Sequence, residues 1–164
     1  MAGLHTRSRC LALVVVALAS GVTALSAPPQ GRAPADPGSA RESVAVIVNK
    51  DNPQTSLTTG DLRRMMLGEM TRWPDGRKLT VVMREPGAAE RSAVLRLICR
   101  MSEADFSRHL LYAAYRGDSQ TAPKQLDTSM GVRRFIFNVP GAIGYVRSDE
   151  VDDSVKILLT IRTE

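Results

Sequence analysis

The sequence predicts an α/β domain in which helices pack on a mostly parallel sheet, and three observations predict it. Short runs rich in β-branched residues recur along the chain, apolar stripes of helical period lie between them, and Pro, Gly and Asn punctuate the changes. The first run, Val44-Ala45-Val46-Ile47-Val48, is continuous rather than alternating and ends at Asn49. Such a run suits a strand covered on both faces, so a central strand of parallel type is expected there. Asn52-Pro53 signals a turn. Thr58 with Asp61 three residues later can cap a helix whose Leu62, Met65 and Met66 share a face and which Gly68 stops. Leu79 to Met83 reads as a second strand. Glu85-Pro86-Gly87 breaks it before a helix from about Ala89, with Val94, Leu97, Ile98 and Met101 on one face.

Ser102 and Asp105 form another capping pair, and Phe106, Leu110 and Ala113 or Ala114 supply the stripe of a helix ended by Gly117. Asp118 to Gln125 is expected as a loop. Ser129 is placed to cap a fourth helix, because Val132, Phe135, Ile136 and Val139 follow helical spacing until Pro140-Gly141. Ala142–Val146 and Val155–Leu159 are the remaining strands, and the mostly parallel sheet can carry one antiparallel strand at an edge. Gly141 and Gly144 are expected to permit close approach of strand to helix. No internal repeat is present.

Ahead of this domain, Arg7 and Arg9 precede the apolar run Leu11–Ala19, followed by small residues up to Ala27. A basic region, a short apolar region and a small-residue exit make a secretion signal over residues 1–26, with the cut at Ser26/Ala27. A spanning helix needs roughly 20 predominantly apolar residues, and Ser20, Gly21 and Thr23 interrupt this run. Retention as an anchor stays open. The location expected is periplasmic or secreted, with no stable membrane insertion after cleavage. Residues 27–43, rich in Pro, Gly and Ala, read as a flexible tether. Residues 44–164, roughly 120, suffice for one modest core.

The formal charge of +5 falls to +3 once residues 1–26 are removed, because they hold the two cations Arg7 and Arg9 and no acid. The basic bias is mild. Arg63-Arg64 and Arg133-Arg134 lie on helix faces without interleaved aromatics, so no nucleic-acid partner is expected. Cys99 is then the only cysteine, which excludes a disulfide framework. His109 has no His or Cys at ligand spacing, and the acidic turn Asp149 to Asp153 does not have calcium-loop spacing. Cys99 beside Ile98 reads as a core filler rather than a nucleophile. No glycine-rich nucleotide fingerprint appears. No metal, no cofactor and no enzyme activity are expected.

Five segments in order carry a resemblance: Val46 to Pro53, Leu62 to Gly68, Arg72-Trp73-Pro74-Asp75-Gly76, Arg84, and Pro140 to Val146. Together they span Val44 to Leu159, and this stretch resembles the phosphate-type substrate-binding proteins of ABC transporters. The resemblance implies a periplasmic-binding-protein fold of the second topological type, with two α/β lobes and an oxyanion held between them. It implies a packing role for Trp73. Two departures qualify it. Nothing upstream of Val44 could supply the further lobe segment with its ligand loop, so the chain reads as a single-lobe short form. Where tight phosphate binders follow the matching arginine with hydroxyl donors, this chain has Glu85-Pro86-Gly87-Ala88-Ala89-Glu90.

The anion chemistry left is backbone and guanidinium. A strand-to-helix turn presents amides with no internal partner and the positive end of a helix dipole. The expected ligand residues are therefore Arg84, Gly87, Ala88 and Ala89. Glu85 and Glu90 bring opposing charge to the same turn, so binding should be weak, about millimolar. The competing reading makes Arg84 a surface residue paired with Glu85 or Glu90. Tyr145 reads as an ordinary strand tyrosine. Two functions follow: a solute-binding-like domain taking phosphate or another small oxyanion and serving a membrane permease, or a degenerate lobe acting as an interaction or sensory module, with a second lobe or another protein as partner.

Overall fold

A computed structural model of the chain describes residues 43–117 and 122–163, all within one compact unit. The leader read over residues 1–26 and residues 27–42 of the tether lie outside the described residues, while Ser43, read as the last residue of the tether, is instead the buried first residue of a strand. The first strand, β1 (Ser43–Asn49), has every residue buried. After it come α1 (Thr59–Met66), β2 (Thr80–Arg84), α2 (Ala89–Val94), α3 (Glu103–Tyr115), β3 (Lys124–Leu126), α4 (Ser129–Asn138), β4 (Ala142–Arg147) and β5 (Val155–Arg162). A π-helical turn, Leu95–Cys99, prolongs α2.

The strands form one sheet in the order β3-β2-β4-β1-β5. β2 runs parallel to β3 and β4, while β1 runs antiparallel to β4 and β5, so four strands share a direction and β1 alone opposes them. β1 is interior, as its apolar run requires, but it is not of parallel type, and the reversed strand is not at an edge. Burial on both faces reports that helices cover both sides of the sheet; it carries no information about which way the neighbours run. Val44, Val46 and Val48 pack with residues of α1, α2 and α3 on one face. Ala45 and Ile47 pack with Val132 and Ile136 of α4 on the other.

Two glycines permit this packing. A Cβ on Gly144 would sit 3.0 Å from Ile136 Cδ1 and 3.1 Å from Val132 Cγ1, so α4 lies against bare backbone of β4. One on Gly141 would fall 2.2 Å from the Lys78 carbonyl oxygen. Beside it, Trp73 is buried and its Nε1 donates to Gly141 O at 2.9 Å, closing one end of the core.

Both capping pairs form: Thr58 accepts from the Asp61 amide and Ser102 from the Asp105 amide. Two expectations need correction. The segment read as a loop through Gln125 ends in β3, a three-residue edge strand in which Leu126 alone is apolar. The cap of α4 is Thr128, whose hydroxyl accepts from Gly131 N at 3.1 Å, and Ser129 is the first helical residue.

Candidate functional site

β2 ends where Pro86 can offer no amide and Gly87 takes φ 92°, a value that favours glycine. The Ala88 amide donates to Glu85 O at 3.3 Å to close the turn. α2 then starts at Ala89 with Ala88 as its cap, which has no side-chain hydrogen bond to give. Arg84 is thereby fixed at the strand exit, with its backbone held on both sides. Its amide donates to the Tyr145 hydroxyl at 3.4 Å, and its carbonyl accepts from Arg91 Nη1 at 2.8 Å.

The Arg84 guanidinium points into protein. Nη1 donates to Ser129 Oγ at 2.6 Å and Nη2 to the Asp127 carbonyl at 2.8 Å. Glu90 Oε1 stands 3.9 Å from Nη1, and the two side chains are only 16% and 11% exposed. Arg84 Nε is buried and has no hydrogen-bond partner among the described residues. Of the two acids that the sequence offered to Arg84, Glu90 is the one that reaches it; Glu85 is exposed.

Arg91 and Tyr145 support this arrangement from below. Arg91 is 1% exposed, and its Nε and Nη2 grip both oxygens of Glu103 at 2.9 and 2.6 Å. Its guanidinium also lies 5.6 Å from the centre of the Phe106 ring. Tyr145 is fully buried, and burial pushes its phenol far above the ordinary range, so it meets the Arg84 amide as a neutral hydroxyl.

A cavity of about 350 Å³ opens at the carboxyl ends of β4 and β5, the place where open α/β sheets bind ligands. Its walls include Ser43, Ala89, Glu90, Arg96, Arg147 and Thr163. Arg96 Nη2 donates to Thr163 O at 3.2 Å. Arg147 is paired with Asp149 at 3.2 Å and Glu150 at 3.3 Å. Of the expected ligand residues, Ala89 borders this cavity, whereas Arg84, Gly87 and Ala88 do not. Glu90 touches both the cavity and Arg84.

The sequence reading missed Ser129, Asp127 O and Arg91. Thr128-Ser129 supplied the signal for the first: only one of two consecutive hydroxyls can cap, which frees the other to turn inward. Arg91 had none, because its partner lies on another helix.

Three solved structures share this architecture. One is described as a phosphate ABC transporter substrate-binding protein from Clostridium perfringens with bound phosphate; it has a TM-score of 0.57 and 23% identity over 71% of this chain and 44% of that one. An ABC-type phosphate transport receptor from Vibrio cholerae gives 0.57 and 23% over 71% and 45%. PstS from Borrelia burgdorferi gives 0.54 and 15% over 71% and 46%. What they share with this chain is the fold. The five-stranded sheet and its helices match part of these proteins, and the chain spans less than half of their length. No protein-family model matches the chain.

Proposed function

We propose that this is an extracytoplasmic, non-enzymatic solute-binding-like domain related to phosphate receptors, which takes phosphate or another small oxyanion weakly at the exit of β2. Arg84 supplies the charge and its unmatched Nε donor, and the backbone of Gly87, Ala88 and Ala89 lines the turn, with the Gly87 and Ala89 amides as further donors. The observation that carries the reading is Arg84 Nε, buried with no partner beside two nitrogens that already hold protein oxygens. An unmade bond on a buried donor costs about 1–3 kcal/mol, and an oxyanion oxygen would remove that cost. Affinity is held to the millimolar range by the Glu90 carboxylate and by the Ala88 amide, which the turn already uses.

Isothermal titration of the purified chain with phosphate, sulfate and acetate tests this. Heat is expected with phosphate or sulfate and not with acetate, and it should vanish in Arg84→Ala. Silence with every anion would end the reading. Residues 1–26 as a discarded leader, a periplasmic or secreted location and a membrane permease as partner belong to the same proposal.

A second reading, an interaction or sensory module without ligand capture, is favoured by one feature. Leu111, Tyr112 and Tyr115 on α3 are 68%, 61% and 93% exposed. Apolar side chains grouped in this way mark association surfaces. Light scattering over a concentration series would support it by showing assemblies that Tyr115→Ser dissolves; a monomer at every concentration would count against it.

A further inference from the structure

We infer that Glu90 is a built-in occupant of the anion position on Arg84, so that an external oxyanion must displace this carboxylate in order to bind. The inference rests on the anion reading above and names what regulates that site. An oxyanion forked on a guanidinium places its oxygens about 2.7–2.9 Å from the nitrogens. Glu90 Oε1 stands 3.9 Å from Nη1, about an ångström beyond that distance, so the carboxylate lies beside the guanidinium and yet is too far away to make the bond.

Glu90 therefore offsets the charge of Arg84 without filling its geometry. The Nε donor remains unmatched although a carboxylate stands beside the same guanidinium. Both side chains are largely hidden from water, so solvent does little to weaken their attraction. A tetrahedral oxyanion, with more acceptor oxygens than Glu90 brings to bear, meets both demands.

The other side of Glu90 explains how displacement is available. The residue borders the 350 Å³ cavity, and Arg96 from the same helix stands in that wall. A Glu90 side chain swung away from Arg84 enters open space next to a second cation. The cavity thus serves as the place where the occupant goes when a ligand arrives. Weak affinity in the native chain is the cost of that exchange rather than a sign of a degraded site.

The test compares phosphate titrations of the native chain, Glu90→Gln, Glu85→Gln and the double variant Arg84→Ala/Glu90→Gln, with thermal unfolding of each to establish that it is folded. Glu90→Gln should tighten phosphate binding by roughly 10- to 100-fold, the scale of removing a like charge a few ångströms away at a protein surface. Glu85→Gln removes the same charge from the same turn at an exposed position and should change affinity by less than about threefold. The double variant should lose the gain.

Equal gains from Glu85→Gln and Glu90→Gln would reduce the effect to net charge and overturn the inference. So would unchanged affinity in Glu90→Gln when Arg84→Ala abolishes native binding, a result that leaves the anion reading standing. Tighter binding in Glu90→Gln that persists in the double variant would instead remove Arg84 from the site and overturn both. If Glu90→Gln proves unstable, Glu90→Ser carries the same expectation.

Discussion

Arg84 and Arg91 stand seven residues apart, and their environments give one side chain two different tasks. Arg91 is sealed in, both carboxylate oxygens of Glu103 are matched to it, and its third nitrogen, Nη1, holds the Arg84 carbonyl. Replacing it with Met keeps the volume but strands Glu103 and frees the backbone of Arg84. Because Glu103 is 39% exposed, water recovers part of its cost, and a loss of about 2–3 kcal/mol is expected. Urea unfolding should show a lower midpoint at unchanged slope. Cys99 sets a pH limit on the same core. Burial pushes its thiol up to about 11 from an ordinary value of 9.0. The folded state thus prefers the proton, so this contribution is intact below pH 9.0 and is lost as pH rises towards 11. Alkaline unfolding should begin in that window, and Cys99→Ala should lessen the loss there. The sequence showed Cys99 to be core because its neighbours share a helical period. It could not show Arg91, since a pair joining two helices leaves no local pattern.

At the scale of elements, legibility followed how local the cause was. The caps at Thr58 and Ser102 are read from residues three apart and both form. β3 was not legible, because a three-residue edge strand whose residues are exposed or half-buried has no alternation to detect. β5 hid its full length for a related reason. A register shift opposite Val46 and Ile47 breaks its period, and its buried residues divide between the two faces, Val155 packing towards α4 and Leu158 and Ile161 into the opposite cluster. The π-turn of α2 was equally silent, and it leaves Arg100 in the left-handed region at φ 54°. A non-glycine residue pays about 1–2 kcal/mol there, whereas glycine does not. Arg100→Gly should therefore raise stability by about 0.5 kcal/mol after the entropy of glycine in the unfolded chain is subtracted. A fall in the denaturation midpoint would show that the Arg100 side chain contributes more than its backbone strain costs. α3 is the weakly held element, with only Phe106 and Ala113 buried among its 13 residues. Ser102→Ala should cost about 0.5–2 kcal/mol, and hydrogen exchange should quicken first in α3 while β1 amides stay protected.

The whole molecule was legible as a class and not as a topology. Strand-like runs separated by helical stripes specify layers, because each element must bury its apolar face. Nothing in those runs records that β1 opposes its neighbours, since covered strands look alike in either direction. The site divides in the same way: the position of Arg84 at a strand exit could be read, but its enclosure by Ser129, Asp127 and Glu90 arises only when β3, α4 and α2 converge. This convergence makes the proposed ligand binding a global quantity. An anion at the exit of β2 bears on the junction of the sheet with helices on both of its faces, and binding confined to the folded state must stabilise all of it. At a phosphate concentration ten times Kd the gain is RT ln 11, about 1.4 kcal/mol. For a domain of this size that corresponds to a rise in Tm of roughly 5 °C. Sodium chloride at matched ionic strength should not reproduce the rise, because screening acts on exposed charges whereas Arg84 and Glu90 are largely enclosed. An equal rise in chloride, or a phosphate shift that survives Arg84→Ala, would place the stabilisation on the general surface charge and away from the exit of β2.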